Sequence, residues 1–289
     1  MTAKRLIINA DDLGADEGRN AGIFEAIQAG MVTSVSILPN GPGLRDAIER
    51  IRSSAFGRIS WGIHLNLSEG RPVSTKPSPL LCPEGTFLGK PASQRLLMTQ
   101  GDPLLEDEIG REIDAQITLL KTSGLSLSHI DGHQHIHVFP AVLKAMIRAA
   151  LKHEIPWVRI PEEPISDFGE DPLSPSALEE ARFFSQLGQA ARPFILASGL
   201  HVPDHFYGLY LKNRPSLQRV ESFLETLPDG LTEWMVHPGR RIKDPPQTPF
   251  SGFSTQDREE ELKILLDGHL RLILKRKEIF LTPFPEILS

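Results

Sequence analysis

Apolar residues in this chain fall into short runs that stop abruptly at polar residues, and most runs are followed by a segment of helical spacing. Arg5 to Ala10 (RLIINA) halts at Asp11-Asp12-Leu13-Gly14, which predicts a buried strand with two carboxylates at its C-terminal edge. Asp16 reads as an N-cap. Ala21, Ile23, Phe24, Ala26 and Ile27 follow at helical spacing, closed by Gly30. Val32 to Leu38 is β-branched and bounded by Pro39-Asn40-Gly41, a second strand. A helix from about Leu44 to Arg52 leads to a third strand, Ile59 to Leu67, with His64 inside it.

Residues 68–101 are rich in Pro, Gly, Ser and Thr, with Phe87 and Leu97 as isolated anchors, so a long functional loop or lid is expected there. Helical spacing resumes from Glu106 to Leu120, and Leu125 to Asp131 reads as a fourth strand. Pro140 opens a helix whose buried stripe is Val142, Leu143, Met146, Ile147 and Ala150. Trp157 to Pro161 is a fifth short strand, followed by an acidic, Pro-rich loop at 162–176. A helix at 178–197, a strand from His205 to Tyr210, a helix at 216–227, a strand from Gly230 to Val236 and a last helix at 257–275 continue the alternation. Glu278 to Thr282 reads as an eighth strand or a terminal β-like segment.

Alternation of this kind predicts a parallel sheet with helices outside it. Asp11, Asp12, His64, His133, Arg159 and His237 all fall in or at the C-terminal half of a predicted strand. A barrel of parallel strands gathers catalytic groups at that rim, whereas an open doubly wound sheet gathers them near one switch point. Contributions from at least five strands favour a closed or nearly closed, TIM-barrel-like barrel of about seven parallel strands. With no internal repeat and no linker-like boundary, residues 1–289 are expected to form one catalytic barrel domain carrying the 68–101 insertion.

Composition narrows the partners. The 289 residues are 40% hydrophobic and 24% charged with a net charge of −6, which gives no basic footprint for nucleic acid or an anionic membrane. No run of about 18 apolar residues predicts a membrane span, and Met1 to Ala10 does not have the form of a signal peptide. The single cysteine, Cys82, has no partner for a disulfide and reads as an inert thiol, so a reducing cytoplasm is the expected compartment. Exposed barrel helices are the surfaces through which a homodimer or homotrimer would form.

The chemistry concentrates in His129-Ile130-Asp131-Gly132-His133-Gln134-His135-Ile136-His137, four of the ten histidines of the chain in nine residues. An extended backbone would project His133, His135 and His137 to one face as a patch of imidazole donors. His64 and His133 supply imidazoles from different strands, and one of Asp11 and Asp12 completes a set of three protein ligands with open positions, the arrangement of a catalytic metal site. Adjacent carboxylates on a regular strand point apart, so a twist or bulge at Leu13-Gly14 is needed for both to reach one site. That suits a division of labour, one Asp on the ion and the other as general base. His237, before Pro238-Gly239, is placed to protonate a leaving group, and Arg159 to pair with the non-liganding Asp and keep it ionised. His201 and His205 read as loop or rim residues. Together these residues predict a metal-dependent hydrolase, with amide, ester and phosphoester substrates all open.

Asn9-Ala10-Asp11-Asp12-Leu13-Gly14, Gly62-Ile63-His64-Leu65, the 129–137 segment and Val236-His237-Pro238-Gly239 resemble the YdjC-like carbohydrate deacetylase family, in order and over nearly the whole chain. The resemblance implies a distorted (β/α) barrel that removes the acetyl group from N-acetylated sugars, including chito-oligosaccharides, with one divalent metal ion, Mg or Zn. It implies Asp12, His64 and His133 as metal ligands, Asp11 as general base, His237 as general acid and Arg159 in a supporting or substrate-contacting role. His135 and His137 fall to supporting roles beside the site, and His129 and Asp131 brace the strand end. Many members carry three successive histidines where this chain has His133-Gln134-His135, and Val73 to Leu97 and Pro161 to Ser176 match no family segment. Alternative readings are a deacylase of a lipid-linked sugar, suggested by Phe250 and Phe253 and the 68–101 insertion, a metal phosphoesterase, and a non-catalytic sugar- or metal-binding barrel.

Overall fold

In the computed structural model, described for residues 3–53, 56–75, 78–164, 174–212, 216–243, 250 and 254–286, parallel strands alternate with helices. The strands are β1 (Lys4–Leu13), β2 (Ser34–Ile37), β3 (Ser60–Leu65), β4 (His129–Gly132), β5 (Trp157–Val158), β6 (His205–Tyr207), β7 (Gly230–Val236) and β8 (Ile279–Leu281). Their order is β5-β4-β3-β2-β1-β7-β6, and the sheet curls into the distorted α/β barrel expected from the sequence. The two ends of that path approach each other. The Val158 N–H donates to the His201 carbonyl and the His201 N–H to that of Pro156, each at 2.9 Å, so the segment entering β6 touches β5 across the seam.

The outer layer comprises α1 (Glu17–Gln28), α2 (Leu44–Ser53), α3 (Lys90–Leu97), α4 (Pro103–Thr122), α5 (Pro140–Lys152), α6 (Pro175–Ala197), α7 (Leu217–Glu225), α8 (Gln256–Leu266) and α9 (Gly268–Arg276). Asp16 caps α1 as predicted, accepting from the Arg19 N–H at 2.7 Å. Two expectations need correction. The 68–101 region is not a uniform loop, because α3 forms within it and seats Leu97, while Phe87 bridges back to Leu81. The last helix is two: Asp267 has extended backbone, and its carboxylate caps a new helix by accepting from the His269 N–H. The eighth strand is real. β8 pairs with Lys4–Leu6 of β1, ahead of the point where β2 begins its pairing at Asn9.

The strand period sorts the side chains. On β1, Leu6, Ile8 and Ala10 join the main core with Ile23 and Phe24 of α1, whereas Ile7 packs with Trp157, Leu231 and Phe284 inside the barrel. Asn9 and Asp11 share the inward face of Ile7. Above that apolar plug the interior is polar: Asn9 donates to Ser36, Ser36 to Asp131, and Arg159 to Glu233. Gly62 permits one of these placements, since a Cβ there would lie 2.3 Å from the ring of His129. Among the described residues no helix is long and apolar enough to cross a membrane.

Candidate active site

Strict alternation would turn Asp12 outward with Ala10. Instead, the register of β1 against β2 shifts between Ala10 and Leu13, and Asp12 takes a left-handed backbone conformation with φ 69°. The required bulge is therefore present but sits at Asp11-Asp12 rather than Leu13-Gly14. Aspartate is among the few non-glycine residues that tolerate this conformation. Both carboxylates are thereby buried at the same end of the barrel, 1% and 4% exposed.

Asp12, His64 and His133 form a buried group able to hold a metal ion. Asp12 Oδ1 lies 3.2 Å from His64 Nε2 and 3.2 Å from His133 Nδ1. Each imidazole is held from behind by a second carboxylate. His64 Nδ1 is 2.7 Å from Asp131 Oδ1, and His133 Nε2 is 2.8 Å from Glu69 Oε2. One carboxylate and two neutral nitrogens are donors that first-row divalent ions and Mg accept, and backed imidazoles are the usual companions of such ions. Without an ion, burial opposes a charged His64, but Asp131 and Asp11 beside it raise its pKa to about 10. Burial works against Asp12 in the same way, and the hydrogen bonds from His133 and His64 hold it well below the usual carboxylate range.

Asp11 turns to Arg159. Arg159 Nη1 and Nη2 donate to Asp11 Oδ2 and Oδ1, each at 2.7 Å, and Asn9 Nδ2 donates to Oδ1 at 2.8 Å. The same guanidinium reaches Asp131 at 2.8 Å and Glu233 at 2.7 Å and lies over the Phe206 ring. The sequence expectation was that Arg159 lowers the pKa of Asp11. Burial outweighs it, with Asp131 adding to the same side, and the carboxyl is raised above its ordinary value. Glu233 is likewise pushed up by burial, to about 7.

His237 ends β7, with Nε2 3.9 Å from Asp11 Oδ2. Burial, and then the cations Arg258, Arg19 and Lys212, hold it well below its ordinary value, so the imidazole is neutral. Its turn is set by α1. A Cβ on Gly22 would meet Gly239 Cα at 2.4 Å, so the bare helix face lets the two backbones touch. From the same helix the buried Arg19 donates through Nη1 to the His237 carbonyl at 2.5 Å and sets Nη2 3.8 Å from Asp12.

The histidine cluster does not project one patch. The chain leaves β4 at Gly132 and kinks through Gln134 and His135, both left-handed at φ 54°, so the three imidazoles diverge. His133 enters the ligand group. His135 packs against Phe184 and Phe206 beside the cleft, and His137 Nε2 bonds the Arg159 carbonyl at 2.9 Å. His129 lies deeper, stacked on Phe284 and 3.1 Å from Ser36 Oγ, and burial lowers its pKa to about 3. Asp131 does more than brace its strand, since it orients His64.

A cavity of about 290 Å³ opens on these groups, with Lys90, Lys212 and Arg258 on its walls. Sequence reasoning missed Glu69 and Arg19, which lie in a loop and a helix rather than at a strand end. It missed Lys90 and Lys212 as well, and no strand-end pattern marks them. Phe250 is 1% exposed and packs with Ala15 and Leu38, so it offers no apolar surface to a lipid; Phe253 lies outside the described residues.

A sequence model of the family described as YdjC-like protein matches residues 5–276. Proteins named carbohydrate deacetylase from Mus musculus and Homo sapiens are each 33% identical over 98% of this chain, covering 94% and 91% of their own lengths. One of the same name from Brevibacillus brevis is 31% identical over 98% of this chain and 99% of its own. The crystal structure of a candidate cellobiose-phosphate cleavage protein from Enterococcus faecalis superposes with a TM-score of 0.73 at 23% identity, covering 98% of each chain. That likeness concerns the fold.

Proposed function

The chain belongs to the YdjC-like protein family, and from that membership and its site we propose that it is a metal-dependent carbohydrate deacetylase, hydrolysing the N-acetyl group of an amino sugar. One observation carries the reading. Asp12 Oδ1 stands 3.2 Å from two imidazole nitrogens, one on β3 and one in the turn after β4, while Asp11 and His237 face the same cavity. Asp12, His64 and His133 would hold a divalent ion, Zn or Mg. A bound ion there supplies Lewis-acid polarisation of the acetyl carbonyl and acidifies water.

The remaining work falls to the chain. Asp11 Oδ1 accepts from both Arg159 and Asn9, whereas Oδ2 accepts one bond, from Arg159, and lies 3.9 Å from His237 Nε2. Oδ2 is therefore the atom that takes the proton of the attacking water, and a raised pKa makes it the stronger base. His237 Nε2 is positioned to relay the proton taken by Asp11 to the departing amine. Arg159 holds the carboxylate plane fixed throughout, and the whole chain acts as one catalytic barrel.

Metal-stripped protein, reloaded with Zn or Mg, should release acetate from N-acetylglucosamine oligomers and lose that activity on chelation. No acetate from any N-acetylated sugar would sink the proposal. Lys90, Lys212 and Arg258 around the cavity favour a phosphoesterase as the second reading, and phosphate release in place of acetate would select it.

A further inference from the structure

Both proposed imidazole ligands are backed by carboxylates, but the two backing groups differ in kind. Asp131, behind His64, is wholly buried and also tied to Ser36 and Arg159. Glu69, behind His133, comes from the segment after β3, and its side chain is 21% exposed on the wall of the cavity. His64 would thus offer Nε2 to an ion, with Nδ1 on its carboxylate, whereas His133 would offer Nδ1, with Nε2 on its carboxylate.

The backbone under Glu69 is heavily fastened. Asn66 Oδ1 accepts from the N–H groups of Ser68 and Glu69, while Asn66 Nδ2 and Asn40 Nδ2 both donate to the Glu69 carbonyl at 2.8 and 2.9 Å. Gln116 of α4 in turn clamps Asn66 through its backbone N–H and carbonyl. Such fastening fixes the Cα of a residue that ends 2.8 Å from His133 Nε2. Gln134 Nε2, 3.3 Å from the same nitrogen, is the more distant neighbour.

We propose that Glu69 is a positioning residue of the metal centre, holding the His133 ring so that Nδ1 faces Asp12, and that it does so from the wall of the sugar cavity. The inference rests on the metal-site reading above but concerns ion affinity, which is read without turnover. An ordered carboxylate behind a liganding imidazole is worth about 10- to 100-fold in metal affinity.

The test is calorimetric titration of metal-stripped protein with Zn and Mg, comparing wild type with Glu69→Ala and Glu69→Gln. Glu69→Ala should weaken binding about 10- to 100-fold, and Glu69→Gln, whose amide oxygen still accepts from Nε2–H, should recover most of it. Long-range proton–nitrogen spectra of the Zn-loaded proteins should show His133 protonated at Nε2 in wild type and Glu69→Gln, with that signature lost or broadened in Glu69→Ala. Equal affinity and an unchanged His133 spectrum in Glu69→Ala would overturn the assignment while leaving the metal centre intact. A wild type that binds neither ion would overturn both. Thermal melting of the metal-free variants separates misfolding of Glu69→Ala from loss of the ligand partner, and Glu69→Gln keeps the question decidable if Glu69→Ala fails to fold.

Discussion

Arg159 grips both oxygens of Asp11, each at 2.7 Å, from a side chain with no exposure to solvent. Lysine cannot reproduce a two-pronged grip, and it also loses the simultaneous bonds to Asp131 and Glu233. Arg159→Lys should reduce kcat about 100-fold through misplacement of the base, with KM for the sugar little changed. Steady-state kinetics on an acetylated oligosaccharide would check this, and a change confined to KM would contradict it.

Neighbouring carboxylates with the separate duties proposed for Asp11 and Asp12 should fail separately. Asp11→Asn is expected to bind Zn as wild type does yet lose about 10²- to 10⁴-fold in turnover. Asp12→Asn should lose ion binding itself. Calorimetry beside acetate release distinguishes the pair, and identical behaviour of the two variants would contradict the division.

Close backbone contact gives a prediction with an internal control. Gly22→Ala forces a Cβ to within 2.4 Å of Gly239 Cα, so the turn carrying His237 must shift. It should cost about 1–3 kcal/mol in stability and lower activity. Gly110→Ala, in the middle of α4 with nothing within 4 Å of the added carbon, should instead gain about 0.5–1 kcal/mol. Denaturant unfolding of both variants tests the contrast, which disappears if helix propensity alone governs position 22.

Glu163 supplies a pH dependence away from the proposed metal site. Its Oε2 accepts from the N–H groups of Gly208, Leu209 and Tyr210, but burial raises its pKa to about 8. Below about pH 4.3, the ordinary glutamate value, folded and unfolded chains both hold the proton. As pH rises from there through about 8, the unfolded chain releases its proton first, so the stability contributed by this group declines. Glu163→Gln keeps an acceptor oxygen and removes the titration. Its melting temperature should therefore gain on wild type between pH 5 and pH 8, and a constant difference across that range would count against the assignment.

How much of this was legible follows from the physics of strands. Asp11, Asp12, His64, His133, Arg159 and His237 could be read because parallel strands deliver their C-terminal residues to one rim, and short apolar runs mark where each strand stops. Asp131 was visible as a residue but not as the partner of His64, since cross-strand contacts depend on register. Glu69 and Arg19 reach the site through a loop and a helix, whose geometry no local period encodes. The turn after Gly132 was not legible, because the left-handed backbone at Gln134 and His135 follows from packing rather than from residue preference. The split between α8 and α9 turned on one aspartate choosing to cap rather than continue.

The left-handed backbone at Asp12 bears on any attempt to redesign the proposed metal centre for a different ion. Exchanging this proposed ligand for histidine or cysteine would change two things at once, the donor atom and the cost of a conformation that aspartate, asparagine and glycine accept most readily. Of those three, only aspartate brings a negative charge. Ion preference in this barrel is therefore more open to engineering at His64 and His133, whose backbones lie at φ values ordinary for any residue, than at the one position where conformation and charge are specified together.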